Sequence, residues 1–169
     1  MKLNVALLLT GSLFLSANFN TVYSQKTVTI LKKVEVNPDT LKTLIIVPDN
    51  EKIIKQVKEM SYFKEIKTIK ELQQEIIAKG LTDKIPNVSD RIGLYNAYKY
   101  YKPFVMLYFS SEDKKLEGLR IRLNLFDPGR SDIIFQNEVR INLMWEGTSD
   151  KKTIFPLLKS LAEYLNERK

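Results

Sequence analysis

The feature that most constrains this chain is a long run of strict alternation towards its C-terminus. Leu119, Ile121, Leu123 and Leu125 alternate with Arg120, Arg122 and Asn124. After Asp127-Pro128-Gly129 the odd positions Ile133, Phe135, Val139, Ile141, Leu143 and Trp145 take the pattern up again. Successive side chains of a strand point to opposite faces, so this period predicts a long antiparallel hairpin with one apolar and one wet face. Such a hairpin needs other elements to cover its apolar side, and the rest of the chain supplies them.

Leu41 to Val47 is a β-branched apolar run between the turn residues Asn37-Pro38-Asp39-Thr40 and Pro48-Asp49, which predicts a buried strand. From Asn50 the period becomes helical: Ile53, Ile54, Val57 and Met60 form one stripe, with Lys52, Lys55 and Lys58 opposite and Asp49 or Asn50 as the cap. Phe63 to Thr68 reads as a short extended link. Thr68-Ile69-Lys70-Glu71 is a capping box, and it opens a second helix whose apolar face is Ile69, Leu72, Ile76 and Ile77. Lys79-Gly80-Leu81 stops that helix, because glycine accepts the left-handed conformation and leucine folds back over the last turn. Thr82 to Val88 is a loop, and Ser89 is the expected cap of a third helix running to Tyr101, before Pro103.

Phe104 to Phe109 is six apolar residues bounded by Pro103 and the polar Ser110-Ser111-Glu112-Asp113, which predicts a strand covered on both faces at the centre of the sheet. Ser149, Asp150 or Thr153 caps a last helix with Pro156 in its first turn and Leu157, Leu158, Leu161, Tyr164 and Leu165 as its buried stripe. Val28, Ile30, Val34 and Val36 alternate imperfectly, so residues 25–40 contribute an edge strand or an arm. The expected fold is α/β (α+β): a mixed sheet of four to five strands with a long C-terminal antiparallel hairpin, packed against three to four helices. Residues 25–169 form a single α/β domain in this reading.

The opening residues bear on where that domain works. Lys2 gives a positive start, Val5 to Leu15 is mostly apolar, and Val22-Tyr23-Ser24 reads as a cleavage site before Gln25. This predicts a signal peptide at 1–24 and export to the periplasm or beyond the cell. The apolar run is about half the roughly 20 residues that cross a bilayer, so no membrane span is expected after cleavage. The chain has no cysteine, which excludes disulfides, thiolate nucleophiles and the lipid anchor of bacterial lipoproteins.

Removing Lys2 with the leader leaves 26 basic and 20 acidic side chains, a net charge of +6 from the full chain's +7. The charges are interleaved and form no basic tail, so nucleic acid is not expected as a partner. An envelope protein or an anionic envelope polymer is, and the oligomeric state stays open.

Leu44-Ile45-Ile46-Val47-Pro48 as the opening strand, Tyr62-Phe63-Lys64-Glu65-Ile66 running into the helix with Leu72, and Leu125-Phe126-Asp127-Pro128-Gly129 ahead of Ile134-Phe135 together span most of residues 41–165. In this order of elements the chain resembles the α/β domain shared by the TolB amino-terminal domain and the envelope lipoproteins of the curli-secretion and penicillin-binding-protein-activator kind. It departs from the lipoproteins in lacking their anchoring cysteine. The resemblance implies a non-catalytic envelope domain that binds other proteins or helps assemble them, and it transfers no catalytic residue.

The chain also has no histidine, which removes Ser-His-Asp and Cys-His sites and the usual nitrogen and sulfur ligands of zinc or copper. No cofactor, metal site or catalytic residue is expected. Ser61-Tyr62-Phe63-Lys64, Ser89-Asp90-Arg91 and Lys152-Thr153-Ile154 faintly echo the elements of penicillin-recognising enzymes, but arginine and isoleucine stand where that chemistry needs asparagine and glycine. Asp113, Asp127, Asp132, Glu146 and Asp150 fall at expected loops, where a carboxylate-dependent hydrolase of envelope glycans or peptides would need two of them to converge. Calcium coordination by Asp127 to Asp132 does not match EF-hand spacing, and a plain turn is preferred. Asn87-Val88-Ser89 fits the N-glycosylation pattern, which matters only on an export route through an endoplasmic reticulum.

Two surfaces are candidates for contact. Arg120, Arg122 and Arg140 are expected on one side of the hairpin with Glu138 and Asn142, where they grip an anion or simply pair with Glu138. Tyr95, Tyr98, Lys99, Tyr100, Tyr101 and Lys102 form an aromatic and basic cluster in which Tyr98 and Tyr101 share the face of Leu94, leaving Tyr100 for a partner. The leading expectation is an exported, non-catalytic binding or assembly module of the bacterial cell envelope. The small hydrolase and a self-associating structural protein, built through a strand edge, are its rivals.

Overall fold

The structure is a computed structural model of the chain, in which residues 27–36, 41–114, 118–141 and 149–167 are described. The expected signal peptide, the expected turn at 37–40, Asn142, Leu143, Trp145 and Glu146 lie outside the described residues. Among the described residues the strands are β1 (Thr29–Lys33), β2 (Thr43–Val47), β3 (Glu65–Thr68), β4 (Val105–Lys114), β5 (Gly118–Asp127) and β6 (Asp132–Ile141). The helices are α1 (Glu51–Glu59), α2 (Ile69–Ala78), α3 (Arg91–Tyr100) and α4 (Ile154–Asn166). One six-stranded sheet runs β1-β6-β5-β4-β2-β3. Its first four strands pair antiparallel and its last three parallel, the mixed α+β arrangement that the sequence predicts.

The sheet has six strands, not four to five, because two short segments pair. The expected link before the capping box is β3, which lies parallel to β2, and the N-terminal arm supplies β1 against β6. β4 is also longer than its apolar run. Ser110 to Lys114 continue the strand, because β5 is formed opposite them and pairs each in turn.

Helix starts follow local chemistry. Asn50 accepts from the amides of Lys52 and Ile53 at 3.0 and 3.2 Å, and Thr68 and Glu71 exchange the two bonds of the capping box at 3.2 and 2.7 Å. α3 corrects the sequence reading: its cap is Asp90, which accepts from the Gly93 amide at 2.7 Å. Ser89 is occupied one step earlier, its amide and hydroxyl both donating to Asn87 Oδ1 at 3.1 and 3.3 Å. Gly93 itself is required, since an added Cβ would lie 2.1 Å from the Asn87 carbonyl oxygen.

Helices lie on both faces of the sheet. α1 and α4 cover one face, where Leu44, Ile46, Leu107, Leu123, Leu125 and Phe135 meet Ile53, Val57, Leu158 and Leu161. Each such side chain contributes about 1.5–3 kcal/mol by leaving water. The Tyr164 ring stacks on Phe135 at 4.5 Å and its hydroxyl donates to the Val34 carbonyl at 2.8 Å, fixing α4 beside the N-terminal strand. α2 and α3 cover only part of the other face, packing Leu72, Ile76, Leu94 and Ala97 against Ile45, Phe104, Met106 and Phe126.

A bulge at the turn end of the hairpin corrects the alternation. Leu125 pairs with Phe135 but Phe126 pairs with Ile133, which leaves Ile134 as the extra residue. Ile133 therefore packs on the α2 and α3 side, and Ile134 is fully buried on the other. Asn137 shares the apolar face with Phe135 and donates from Nδ2 to the Leu157 carbonyl at 2.9 Å.

Candidate functional site

Beyond the area that α2 and α3 cover, the second face of the sheet is polar across β4, β5 and β6. The ladder sets its layout: Tyr108 opposes Asn124, Ser110 opposes Arg122, and Glu112 opposes Arg120. On the next strand Asn124 opposes Gln136, Arg122 opposes Glu138, and Arg120 opposes Arg140. Opposed side chains in an antiparallel pair share a face, so Arg120, Arg122, Glu138 and Arg140 come together as the alternation predicts. Asn142 lies outside the described residues.

Hydrogen bonds tie this face laterally in two rows. Gln136 Nε2 donates to Asn124 Oδ1 at 2.6 Å, and Asn124 Nδ2 donates to Ser110 Oγ at 3.1 Å. In the second row Arg122 forks, donating from Nε to Glu138 Oε2 and from Nη2 to Glu112 Oε2, both at 2.8 Å. Arg140 Nε reaches Glu138 Oε1 at 3.4 Å, and Arg120 Nη1 lies 4.0 Å from the same oxygen. Arg120 and Arg140 are directly opposed like charges, which alone is unfavourable, and the Glu138 carboxylate between them relieves the repulsion.

Glu138 is only 3% exposed. Burial pushes its carboxyl up, but the bonds from Arg122 and Arg140 outweigh this and hold it below the usual range, so it stays ionised. Its hydrogen bond in turn raises the Arg122 guanidinium. The three arginines differ in freedom: Arg120 and Arg122 are largely covered, whereas Arg140 is 64% exposed. The face therefore presents a preset charge pattern with Arg140 as its outermost cation. Ser110 and Glu112, whose signal was the polar continuation of β4, extend it beyond the residues the sequence singles out, and so does Gln136, which opposes Asn124 from β6.

A second polar cluster sits where α2 and α3 both end. Lys67 pairs with Glu75 and, at 2.6 Å, with Glu65, which also pairs with Lys102. The Tyr101 hydroxyl donates to Glu75, and Thr43 Oγ1 donates to Glu65 at 3.1 Å. Burial raises the Glu65 carboxyl but Lys102 and Lys67 bring it down to about 2. Lys67 is driven above its ordinary range because its bonds to Glu65 and Glu75 outweigh burial. As expected, Tyr98 and Tyr101 pack against the second core while Tyr100 is 42% exposed. Lys84 and Lys99 stand 5.6 and 5.1 Å from the Tyr100 ring centre.

The described loop acids take separate local roles. Asp127 Oδ1 accepts from the Gly129 and Arg130 amides at 2.9 and 3.3 Å, the work of a turn former, and Gly129 leaves room for the Tyr98 ring over that turn. Asp132 pairs with Lys32 at 2.7 Å and Asp150 with Lys52 at 3.6 Å, while Asp113 is an exposed strand residue and not a loop acid. Among the described residues no group of three acids is placed to hold a metal ion, and no helix is long and apolar enough to cross a membrane. A shallow depression of about 540 Å³ lies along α1, lined by Glu51, Ile54, Lys55, Lys58 and Glu59, away from both polar clusters.

No protein-family model matches the chain, and no curated protein matches it. Solved structures that resemble it include two of PelC from Paraburkholderia phytofirmans. A dodecamer of a PelC variant is 9% identical with a TM-score of 0.44, over 83% of this chain and 98% of that one. A second PelC dodecamer is 9% identical with a TM-score of 0.39, over 85% and 94%. At this level neither carries a functional assignment to this chain.

Proposed function

We propose that this chain is an exported, non-catalytic binding or assembly module of the bacterial cell envelope, which contacts an envelope protein or an anionic envelope polymer. One observation carries the reading. The part of the sheet face that α2 and α3 do not cover holds a buried carboxylate, Glu138, among three arginines whose positions the ladder fixes. Fixed charges of both signs on a broad face suit a protein surface better than a small substrate, because register and orientation are set before contact and little side-chain freedom is lost. A hydrolase would need a carboxyl held protonated, and the shifted carboxylates Glu65, Glu75, Asp132 and Glu138 all move the other way. The leader-like opening and the lack of histidine and cysteine support an exported role by contact.

Alanine at Arg140 tests the reading, since Arg140 reaches furthest out and its loss leaves Arg122 on Glu138. Capture of the envelope partner should fall at least tenfold. Capture equal to that of the unaltered chain would reject this face.

A further inference from the structure

The lysine-rich end where α2 and α3 terminate differs from the arginine face in one respect: its charge is not neutralised from within. The α2 cap, Lys79, stands 4.7 Å from the ring of the α3 cap, Tyr101, so the two helix ends lie together. Glu65 and Glu75 are spent on Lys67 and Lys102. Among the described residues no carboxylate lies within ion-pairing distance of Lys79, Lys84 or Lys99, and all three are exposed around Tyr100 and Tyr101.

We infer that this end is a peripheral docking surface for an anionic lipid layer, with Lys79, Lys84 and Lys99 meeting headgroup phosphates. The chemistry of the residues selects that partner. Lysine is a point charge without directional demand, which suits headgroups that diffuse laterally, whereas recognition of one sugar sequence calls for an open ring face and fixed bidentate donors. Here ammonium groups stand about the Tyr100 ring, and the chain's clustered arginines lie on the other surface. The exposed Tyr100, with its amphipathic ring, fits the boundary between headgroup and acyl chain. Such a surface lies on a membrane and needs no spanning helix.

The test is sedimentation of the full chain with vesicles of phosphatidylcholine alone or mixed with phosphatidylglycerol. The apolar opening segment is common to every variant, so differences between variants report the patch. The unaltered chain should prefer the anionic vesicles and lose that preference at high salt. The triple variant Lys79→Gln, Lys84→Gln, Lys99→Gln should bind them roughly 100-fold more weakly, equivalent to about 1 kcal/mol per lysine. The matching triple arginine variant should bind like the unaltered chain, and so should Arg140→Gln, which separates this surface from the arginine face. Equal binding of both vesicle types by the unaltered chain, or full binding by the glutamine variant, would overturn the inference. So would binding to soluble polyglutamate with none to anionic vesicles.

Discussion

Arg122 on β5 donates through Nε to Glu138 on β6 at 2.8 Å, and the carboxylate it grips is 3% exposed. This bond joins the fold to the surface. Glu138 is ionised under its arginines, separates Arg120 from Arg140 and, through the fork of Arg122, ties β6 to Glu112 on β4. The charge pattern on this face is thus the same one that neutralises a buried charge.

Glu138→Gln should destabilise the chain by about 3 kcal/mol, because it removes the buried charge that three arginines share, although Arg122 keeps Glu112. Arg140→Ala, at an exposed position, should cost less than about 1 kcal/mol. Urea unfolding would show this as a lower midpoint for the first variant with an unchanged slope, and a near-native midpoint for the second.

Glu65 titrates in a window of its own. Its carboxyl is lowered from 4.5 to about 2, so its contribution to stability is present above pH 4.5 and is lost as pH falls towards 2. Glu65→Gln should flatten the fall in the unfolding midpoint across that window without abolishing it, because Glu75, Asp132 and Glu138 are lowered too. The effect should be modest and salt-sensitive, as Glu65 is over a third exposed.

Gly93→Ala should be destabilising even though alanine favours helices. The new Cβ would meet the Asn87 carbonyl oxygen at 2.1 Å, and opening that contact costs about 1–3 kcal/mol. The thermal midpoint should drop, and combination with an Asn87 substitution should not restore it, since the clash is with backbone.

Local signals were legible in the sequence and relationships across the sheet were only partly so. The Thr68 capping box and the Gly80 stop depend on neighbouring residues and read directly, and the α1 cap was narrowed to Asp49 or Asn50, of which Asn50 makes the bonds. Alternation placed Arg120, Arg122, Glu138 and Arg140 on one face, but it could not reveal the bulge that turns Ile133 away, because strand patterns carry no mark of an extra residue. Asp90 outcompeted Ser89 as a cap because Asn87 engaged the serine first. The Lys67, Glu75 and Tyr101 cluster stayed hidden for a simpler reason. Its members come from β3, α2 and the end of α3, and only the chain path brings them together.

If the polar face of β4, β5 and β6 is where this chain meets its partner, site-specific photo-crosslinking in the producing cell will capture the contact. A photoreactive residue at Ser110 or Arg140 should give a discrete adduct with an envelope component, while one at Lys55 on α1 or Lys159 on α4 should not. Adducts from Lys55 and Lys159 with none from Ser110 or Arg140 would contradict it.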